Sequence, residues 1–564
     1  MSLDDILRDI GEFGPLQKRI YFLLCLPGFI LSQLLVVQVF LLATPEHRCI
    51  IPGNDNDTFA NQSEWHRNLI DRWIPASSDD KHPYDRCNIY EDGNHDGNGT
   101  TVKCTEWVYD ESVYLNTFTK QLNLVCGEAI KVPNVQMIFF FGVLSGSFAY
   151  GQLSDIIGRR KAFYLALVVQ LGTSLGLLGM TEYIGFAVLM FFLGGACLGV
   201  YMTGFVIGME LVGPNKRLWT GAISPFFLTI GQLYLVLVVY LLRDWKWFML
   251  AVCLPGCFFL SYYWLVPESI RWLLSKGKKG EAIEILQKVA KSNKTVLNEK
   301  MVDDLPPIPK EARVWKLFSN RTLGIWSVIL FFNWFVCSMS YYGVVLNTAN
   351  LGGDIYLNFA LLALAEFPGK ALILTADRIG RKRLFMAFMF IGGLANIATI
   401  GPIVNGSDDL HYVLIALAIV GKLCITGAFD TVYILSAEIF PTVVRNAGMG
   451  TSSAIARVGS MIAPYIAKSA DLVKGDLGKT IPLTLFGVAM FASGLLTLIL
   501  PETNGQKMPE SIEDIHNLKH KRPKENATEI EFNKNDSKLS NESNGIHQGE
   551  TNGGYTEHVD GYRL

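Results

Sequence analysis

The sequence predicts an all-helical membrane protein, twelve transmembrane helices built as two parallel-repeat six-helix halves. Three observations lead there. Half of the 564 residues are hydrophobic and only 18% are charged, with a mean hydropathy of +0.28, a balance unlike that of a soluble chain. Twelve apolar runs approach the roughly 20 residues that a helix needs to cross a bilayer. They lie near 20–43, 132–154, 162–180, 184–209, 218–241, 245–266, 324–344, 354–376, 384–404, 410–437, 447–467 and 480–500. Lastly, motifs of the first half recur in the second at nearly constant separation.

Orientation follows from the basic residues of the short loops. Arg159, Arg160, Lys161, Lys216, Arg217, Arg381, Lys382, Arg383 and Arg445 fall in alternate loops, so they share the cytoplasmic face. The long polar segment 44–131 then lies outside. It holds Cys49, Cys87, Cys104 and Cys126 together with glycosylation sequons at Asn56, Asn61 and Asn98. An even cysteine count beside sequons marks an oxidising compartment, and four cysteines allow three pairings. Lys18 and Arg19 flank a first run too long for a signal peptide and without a small-residue cleavage site, so it is expected to stay as an anchor. The topology is therefore that of a multi-pass plasma-membrane protein with both termini cytoplasmic.

The chain divides into a cytoplasmic N-terminus (1–19), a first half (20–266), a linker (267–323), a second half (324–500) and a tail (501–564). The linker is lysine-rich, and Ala282, Ile283, Ile285, Leu286 and Val289 have helical spacing; it reads as amphipathic helices on the cytoplasmic surface. The tail is rich in Asn, Lys, Glu, Ser and Gly and is expected to be disordered. Its terminal Tyr562-Arg563-Leu564 offers a PDZ-type partner a strand to add. A net charge of −2 leaves no nucleic-acid footprint.

The internal repeat is specific. Asp155-Ile156-Ile157-Gly158-Arg159-Arg160-Lys161 is matched by Asp377-Arg378-Ile379-Gly380-Arg381-Lys382-Arg383. Glu210 and Arg217 are matched by Glu438 and Arg445, and Pro267-Glu268-Ser269 by Pro501-Glu502-Thr503. All lie on the cytoplasmic side, so the halves run parallel, the arrangement of transporters that bind substrate at the interface near midplane. Topology alone does not require the carboxylates. Paired with guanidiniums they make strong directional bonds, so Asp155, Arg159, Arg160, Glu210, Arg217, Glu268, Asp377, Arg381, Glu438 and Arg445 are expected to gate the cytoplasmic face. They would link to one another and across the halves when the cavity opens outward.

Five ionisable groups lie inside predicted spans, where they are costly and therefore functional candidates. Glu366 and Lys370 sit one turn apart on the eighth run, Lys422 and Asp430 share a face of the tenth, and Arg457 lies midway along the eleventh. At ~1.5 Å per residue Asp430 is about 12 Å above Glu438, and Arg457 about 18 Å above Arg445. The arginine fork suits a carboxylate, and carboxylates beside aromatic faces suit an ammonium. Trp334, Phe335, Tyr341, Tyr342, Phe226 and Phe227 supply such faces. The expected substrate is a small zwitterion such as a betaine, carnitine or amino-acid derivative. Its carboxylate would sit on Arg457, and its amine near Asp430, Glu366 and the aromatics. A plain organic cation and an organic anion are the alternatives, as is mutual neutralisation of Asp430 and Arg457.

The Gly151–Lys161 signature resembles the loop 2–3 motif of the major facilitator superfamily. Further segments resemble solute carrier family 22, the organic cation/carnitine transporters. They are Ile10-Gly11-Glu12-Phe13-Gly14, the cysteine-bearing outer loop, Tyr341-Tyr342-Gly343, Asn350-Leu351-Gly352-Gly353, Ala437–Thr442 and Val444-Arg445-Asn446. The resemblance covers roughly residues 1–505. It departs in the fourth span, where Phe191-Phe192-Leu193-Gly194-Gly195 lacks the family's arginine. The resemblance implies alternating access governed by the cytoplasmic charges, and the crossed pairing of Cys49 with Cys104 and Cys87 with Cys126. It places Trp334, Tyr341 and Glu366 at cavity positions of the cation transporters. Arg457 matches an arginine of the carnitine and anion carriers, Lys370 resembles the anion branch, and Asp430 has no counterpart.

Other classes fit less well. No His-Glu-x-x-His occurs, and the Gly478-Lys479-Thr480 segment misses the phosphate-loop pattern at Val473. No enzyme, metal site or cofactor is therefore expected. Transport must run on gradients, with sodium or proton coupling left open. A sugar facilitator would need neutral polar groups in place of five charges, and a non-transporting sensor would not need gating charges in both halves. The partners expected are the organic ion, the bilayer and, through the outer loop, a second copy of the chain.

Overall fold

A backbone inside a bilayer must satisfy its own hydrogen bonds, so each apolar run closes into a helix. The computed structural model describes residues 3–515, apart from 55, 80–81, 94–99, 299, 304–313, 406–407, 474 and 507. Ten of its helices are long and apolar enough to cross a membrane: Pro15–Leu41, Cys126–Ile157, Tyr183–Leu211, Pro214–Leu242, Trp245–Leu265, Arg321–Leu351, Ile355–Ile379, Arg381–Asn405, Leu410–Ile439 and Leu477–Thr497. Two more, Arg159–Leu177 and Arg445–Lys468, occupy the third and eleventh places. Three basic residues in the first turn of one, and Arg457 with several Gly and Ser in the other, make them less apolar. The twelve are numbered here in chain order.

Without a hydrophobic force between helices in lipid, close packing relies on small residues. Gly142 and Gly146 of the second helix abut Phe191 and Gly195 of the fourth, backbone against backbone. Gly459 of the eleventh helix meets Phe335 and Met339 of the seventh in the same way. The halves meet where the second helix packs on the eleventh and the fifth on the eighth. Their outer ends are sealed. The Tyr465 hydroxyl donates to Asn134 at 2.8 Å, that of Tyr356 donates to the Val113 carbonyl at 2.7 Å, and Phe40 packs on Phe359 with ring centroids 4.9 Å apart.

The sequence repeat recurs as a repeated set of contacts at one end of each half. Gly158 and Gly380 turn the chain at φ +108° and +102°, conformations open to glycine. Each lets a carboxylate cap the helix that follows. Glu268 accepts from the Arg160 amide at 3.0 Å, and Glu502 accepts from the Lys382 and Arg383 amides, each at 3.3 Å. The Ser269 hydroxyl donates to Glu210 and the Thr503 hydroxyl to Glu438. Arg159 pairs with Asp155 and Arg381 with Asp377, and Arg381 also reaches Glu438 at 3.2 Å.

Two segments at this same end break the symmetry. A helix at Leu3–Asp9 buries Leu3, Ile6 and Leu7, and Asp4 accepts from Arg217 and from Arg271. The Arg217 hydrogen bond holds the Asp4 carboxyl below its usual range. The amphipathic linker helix Lys279–Ser292 buries Ala282, Leu286 and Val289. On the second half, the tail that composition assigns to disorder is docked as far as Ile515. Glu502, Thr503 and Asn504 bind the loop at 377–383 and Glu438, and Ile515 is buried. The remainder, including Tyr562-Arg563-Leu564, lies outside the described residues.

Outside the membrane, Cys49 is bonded to Cys104 and Cys87 to Cys126. Three two-stranded sheets and the helix Glu64–Trp73 complete this small domain. Its centre is Asp57, which accepts from both terminal nitrogens of Arg48, from His66 at 2.8 Å and from the Ile51 amide at 2.9 Å. Burial raises the Asp57 carboxyl, but these donors outweigh it and hold it below the ordinary value. Asn56 and Asn61 are exposed, and Asn98 lies outside the described residues. Because a Cβ at either turn glycine would run into its capping carboxylate, Gly158→Ala and Gly380→Ala should each destabilise the protein by roughly 1–3 kcal/mol. Thermal unfolding in detergent reads the loss, which alanine at Gly221, where an added Cβ would meet no neighbour, should not produce.

Candidate substrate site

A carboxylate buried in a membrane demands partners, and Glu366 has them on every side. It is fully enclosed on the eighth helix. Lys370, one turn on, donates to it at 2.9 Å, and Lys422 of the tenth helix approaches to 3.0 Å. The Tyr341 hydroxyl donates at 2.6 Å, that of Thr229 at 2.9 Å and the Gln232 amide at 3.2 Å. Lys370 also donates to Thr229 and to the Pro225 carbonyl at 3.0 Å. Thr229 and Gln232 belong to the fifth helix, so this polar cluster joins the halves at mid-membrane. It holds two ammoniums against one carboxylate.

The other two charges are arranged differently. Arg457 is 8% exposed, and its Nε has no hydrogen-bond partner. It interacts with the Tyr342 hydroxyl and, through space, with Tyr433. Among the described residues no carboxylate lies within 4.0 Å of Arg457 and no cation within 4.0 Å of Asp430. The two therefore do not neutralise each other by contact. Asp430 is half-buried on the tenth helix, within electrostatic reach of Tyr201 on the fourth.

Aromatic rings surround these groups. Tyr341 stacks on Phe429 at 5.9 Å, Phe429 meets Tyr433 edge-on at 5.8 Å, and Tyr433 packs on Trp334 at 4.1 Å. Phe226 of the fifth helix faces Phe367 of the eighth at 5.9 Å.

The structure thus brings together Glu366, Lys370, Lys422, Tyr341 and Phe226, and sets Asp430 and Arg457 apart as open charges. Three of the expected site residues are already engaged. Glu366 does not present a free carboxylate to an amine, because five side chains already saturate it. Lys422 is sealed against that carboxylate. Trp334 is fully buried, with its indole nitrogen donating to Ser436 at 2.9 Å, and so backs Tyr433 without lining an opening. Sequence reasoning missed Thr229, Gln232, Phe429 and Tyr433. The i, i+3 pair Thr229 and Gln232, in line with Phe226 one turn earlier, was a readable polar step in an apolar helix, and Tyr433 lies one turn from Asp430.

The expected gate residues are engaged locally in this conformation. Among the described residues the cytoplasmic ion pairs close within their own half. Arg217 binds Asp4, Glu210 binds Ser269, and the Arg160 guanidinium lies over the Tyr263 ring at 4.8 Å. Arg445 donates to the Phe440 carbonyl at 3.2 Å. In this conformation the outer ends are joined across the halves, and each cytoplasmic cluster is satisfied locally.

Comparison with known proteins agrees with this architecture. The family described as sugar (and other) transporter matches residues 98–514. The chain is 37% identical to the organic cation transporter protein of Drosophila melanogaster, over 94% of this chain and 97% of that one. It is 33% identical to mouse solute carrier family 22 member 4, over 92% and 95%. The chain belongs to solute carrier family 22, within the major facilitator superfamily. It is also 31% identical to human organic cation/carnitine transporter 2, over 92% and 95%. The same fold is seen in the xylose transporter XylE of E. coli in a partially occluded inward-open conformation, with a TM-score of 0.58 at 15% identity over 87% and 99%.

In this carrier, removing Glu366 alone strands two buried ammoniums. Glu366→Ala should cost about 3–5 kcal/mol, and adding Lys422→Met should recover part of it. Thermal unfolding of the two single variants and the double variant gives the coupling.

Proposed function

We propose that the chain is a plasma-membrane carrier, not an enzyme, that moves a small zwitterionic organic solute of the betaine or carnitine kind by alternating access. Both termini lie in the cytoplasm. The observation that carries this reading is the contrast between a saturated Glu366 and the two charges that make no ion-pair contact among the described residues, Arg457 and Asp430, the latter feeling Lys370 only through space. A buried guanidinium with an unpartnered donor is a poor structural element but a good seat for a carboxylate, which it can grip through two parallel bonds. Asp430, beside Tyr433 and Phe429, suits the cationic end by charge and by ring faces. A zwitterion satisfies both at once and leaves the net charge of the site unchanged. The names of the relatives, organic cation and carnitine transporters, support the same substrate range.

One observation favours an organic anion as the second reading. The five intramembrane groups comprise three cations and two carboxylates, so a net negative substrate would balance the site. Uptake of radiolabelled carnitine by cells expressing the carrier separates the readings. Arg457→Ala should lower carnitine uptake roughly ten- to a hundredfold, the worth of a charge-assisted bond in a dry site, with surface expression maintained. Carnitine uptake of normal affinity in that variant would refute the assignment, and uptake of dicarboxylates but not carnitine by the unaltered carrier would establish the anion reading.

A further inference from the structure

The Glu366 cluster contains a recognition site for an organic ammonium whose occupant is part of the chain. Lys422 Nζ stands 3.4 Å from the centroid of the Tyr341 ring and 3.0 Å from Glu366 Oε1. The Tyr341 hydroxyl donates to the same oxygen at 2.6 Å, which fixes the ring and the carboxylate relative to each other. An aromatic face and a carboxylate converging on one ammonium is the arrangement that binds free organic cations. Two further facts separate this contact from an ordinary buried ion pair. Lys422 and Glu366 are both fully enclosed, and Lys422 Nζ has no directed hydrogen bond. Charge and the ring face hold it, as they would hold an alkylammonium free of any chain. Lys370, by contrast, is fastened by three donated bonds, to Glu366, Thr229 and Pro225.

We infer that Lys422 is a tethered cation that fills the ammonium seat of Glu366 and Tyr341, and so determines specificity by excluding simple organic cations. With the seat filled, Asp430 is the carboxylate and Arg457 the cation that make no ion-pair contact among the described residues. A bare ammonium at Asp430 adds charge to a site that already has an excess cation. A zwitterion adds none. Lys422 thereby turns an ammonium-binding framework into one that accepts a cation only when a carboxylate accompanies it. This inference rests on the zwitterion reading for what the carrier transports, but the seat itself is tested without carnitine.

Lys422→Ala keeps Cβ and removes Cγ to Nζ, a propylammonium-sized group, so n-propylammonium is the matching probe. Cells expressing Lys422→Ala should take it up roughly tenfold or more faster than cells expressing the unaltered carrier, given a desolvated carboxylate and ring waiting for it. Lys422→Arg, which keeps a cation, and Lys422→Met, which fills the seat with an apolar chain, should stay at background. If Lys422→Ala reaches the surface poorly, n-propylammonium in the growth medium should restore its surface level and n-propanol should not. Saturable n-propylammonium uptake by the unaltered carrier, or neither uptake nor rescue in Lys422→Ala, would overturn the inference. Loss of carnitine uptake bears on the Arg457 reading alone, so the two can fail separately.

Discussion

Everything at the centre of this carrier depends on compensating one buried carboxylate. An ionised group in the bilayer core is tolerated only if it is paired and hydrogen-bonded. Glu366 meets that condition by drawing groups from four helices: Thr229 and Gln232 from the fifth, Tyr341 from the seventh, Lys370 from its own and Lys422 from the tenth. The halves are therefore joined at mid-membrane by bonds that are expensive to leave unmade. The same cluster holds Tyr341 against Phe429, which in turn meets Tyr433 beside Asp430. The geometry of the open charges is thus inherited from a closed one.

That fixed centre makes sense of the two ends. At the outer end the halves are locked by Tyr465 on Asn134 and by Phe40 on Phe359. At the cytoplasmic end each half satisfies its own charges through a repeated device: a turn glycine, a capping glutamate and a hydroxyl on the next carboxylate. Carboxylates and guanidiniums exposed to water can exchange partners at small cost, since surface pairs are worth about 1 kcal/mol or less. Charges paired within each half are therefore compatible with the same residues meeting across the halves in another conformation. The first half adds a clamp in Asp4 on Arg217 and Arg271, which its counterpart Arg445 lacks.

Much of this was legible in the residues. Hydropathy, loop charge and the Asp155/Asp377 and Glu268/Glu502 correspondences placed the spans and the parallel halves, because those patterns are local. The five intramembrane charges were legible too, since each is costly in place. Their partners were not. Nothing in the spacing of Glu366, Lys422 and Asp430 says which carboxylate is saturated, because that depends on how the fifth and tenth helices turn. Whether the gate charges pair within or across halves was equally hidden, being a property of one conformation. The docking of 501–515 escaped composition because a few anchors, Glu502, Thr503 and Ile515, outweigh a polar surround.

The central claim is that both ends of the substrate must be charged, one for Arg457 and one for Asp430. Competition among half-molecules tests it most directly. Carnitine uptake would be measured against choline, which keeps the ammonium, against 3-hydroxybutyrate, which keeps the carboxylate, and against unlabelled carnitine. The account predicts strong competition by carnitine and weak competition by either half, with neither half transported. Choline carried as readily as carnitine would contradict it.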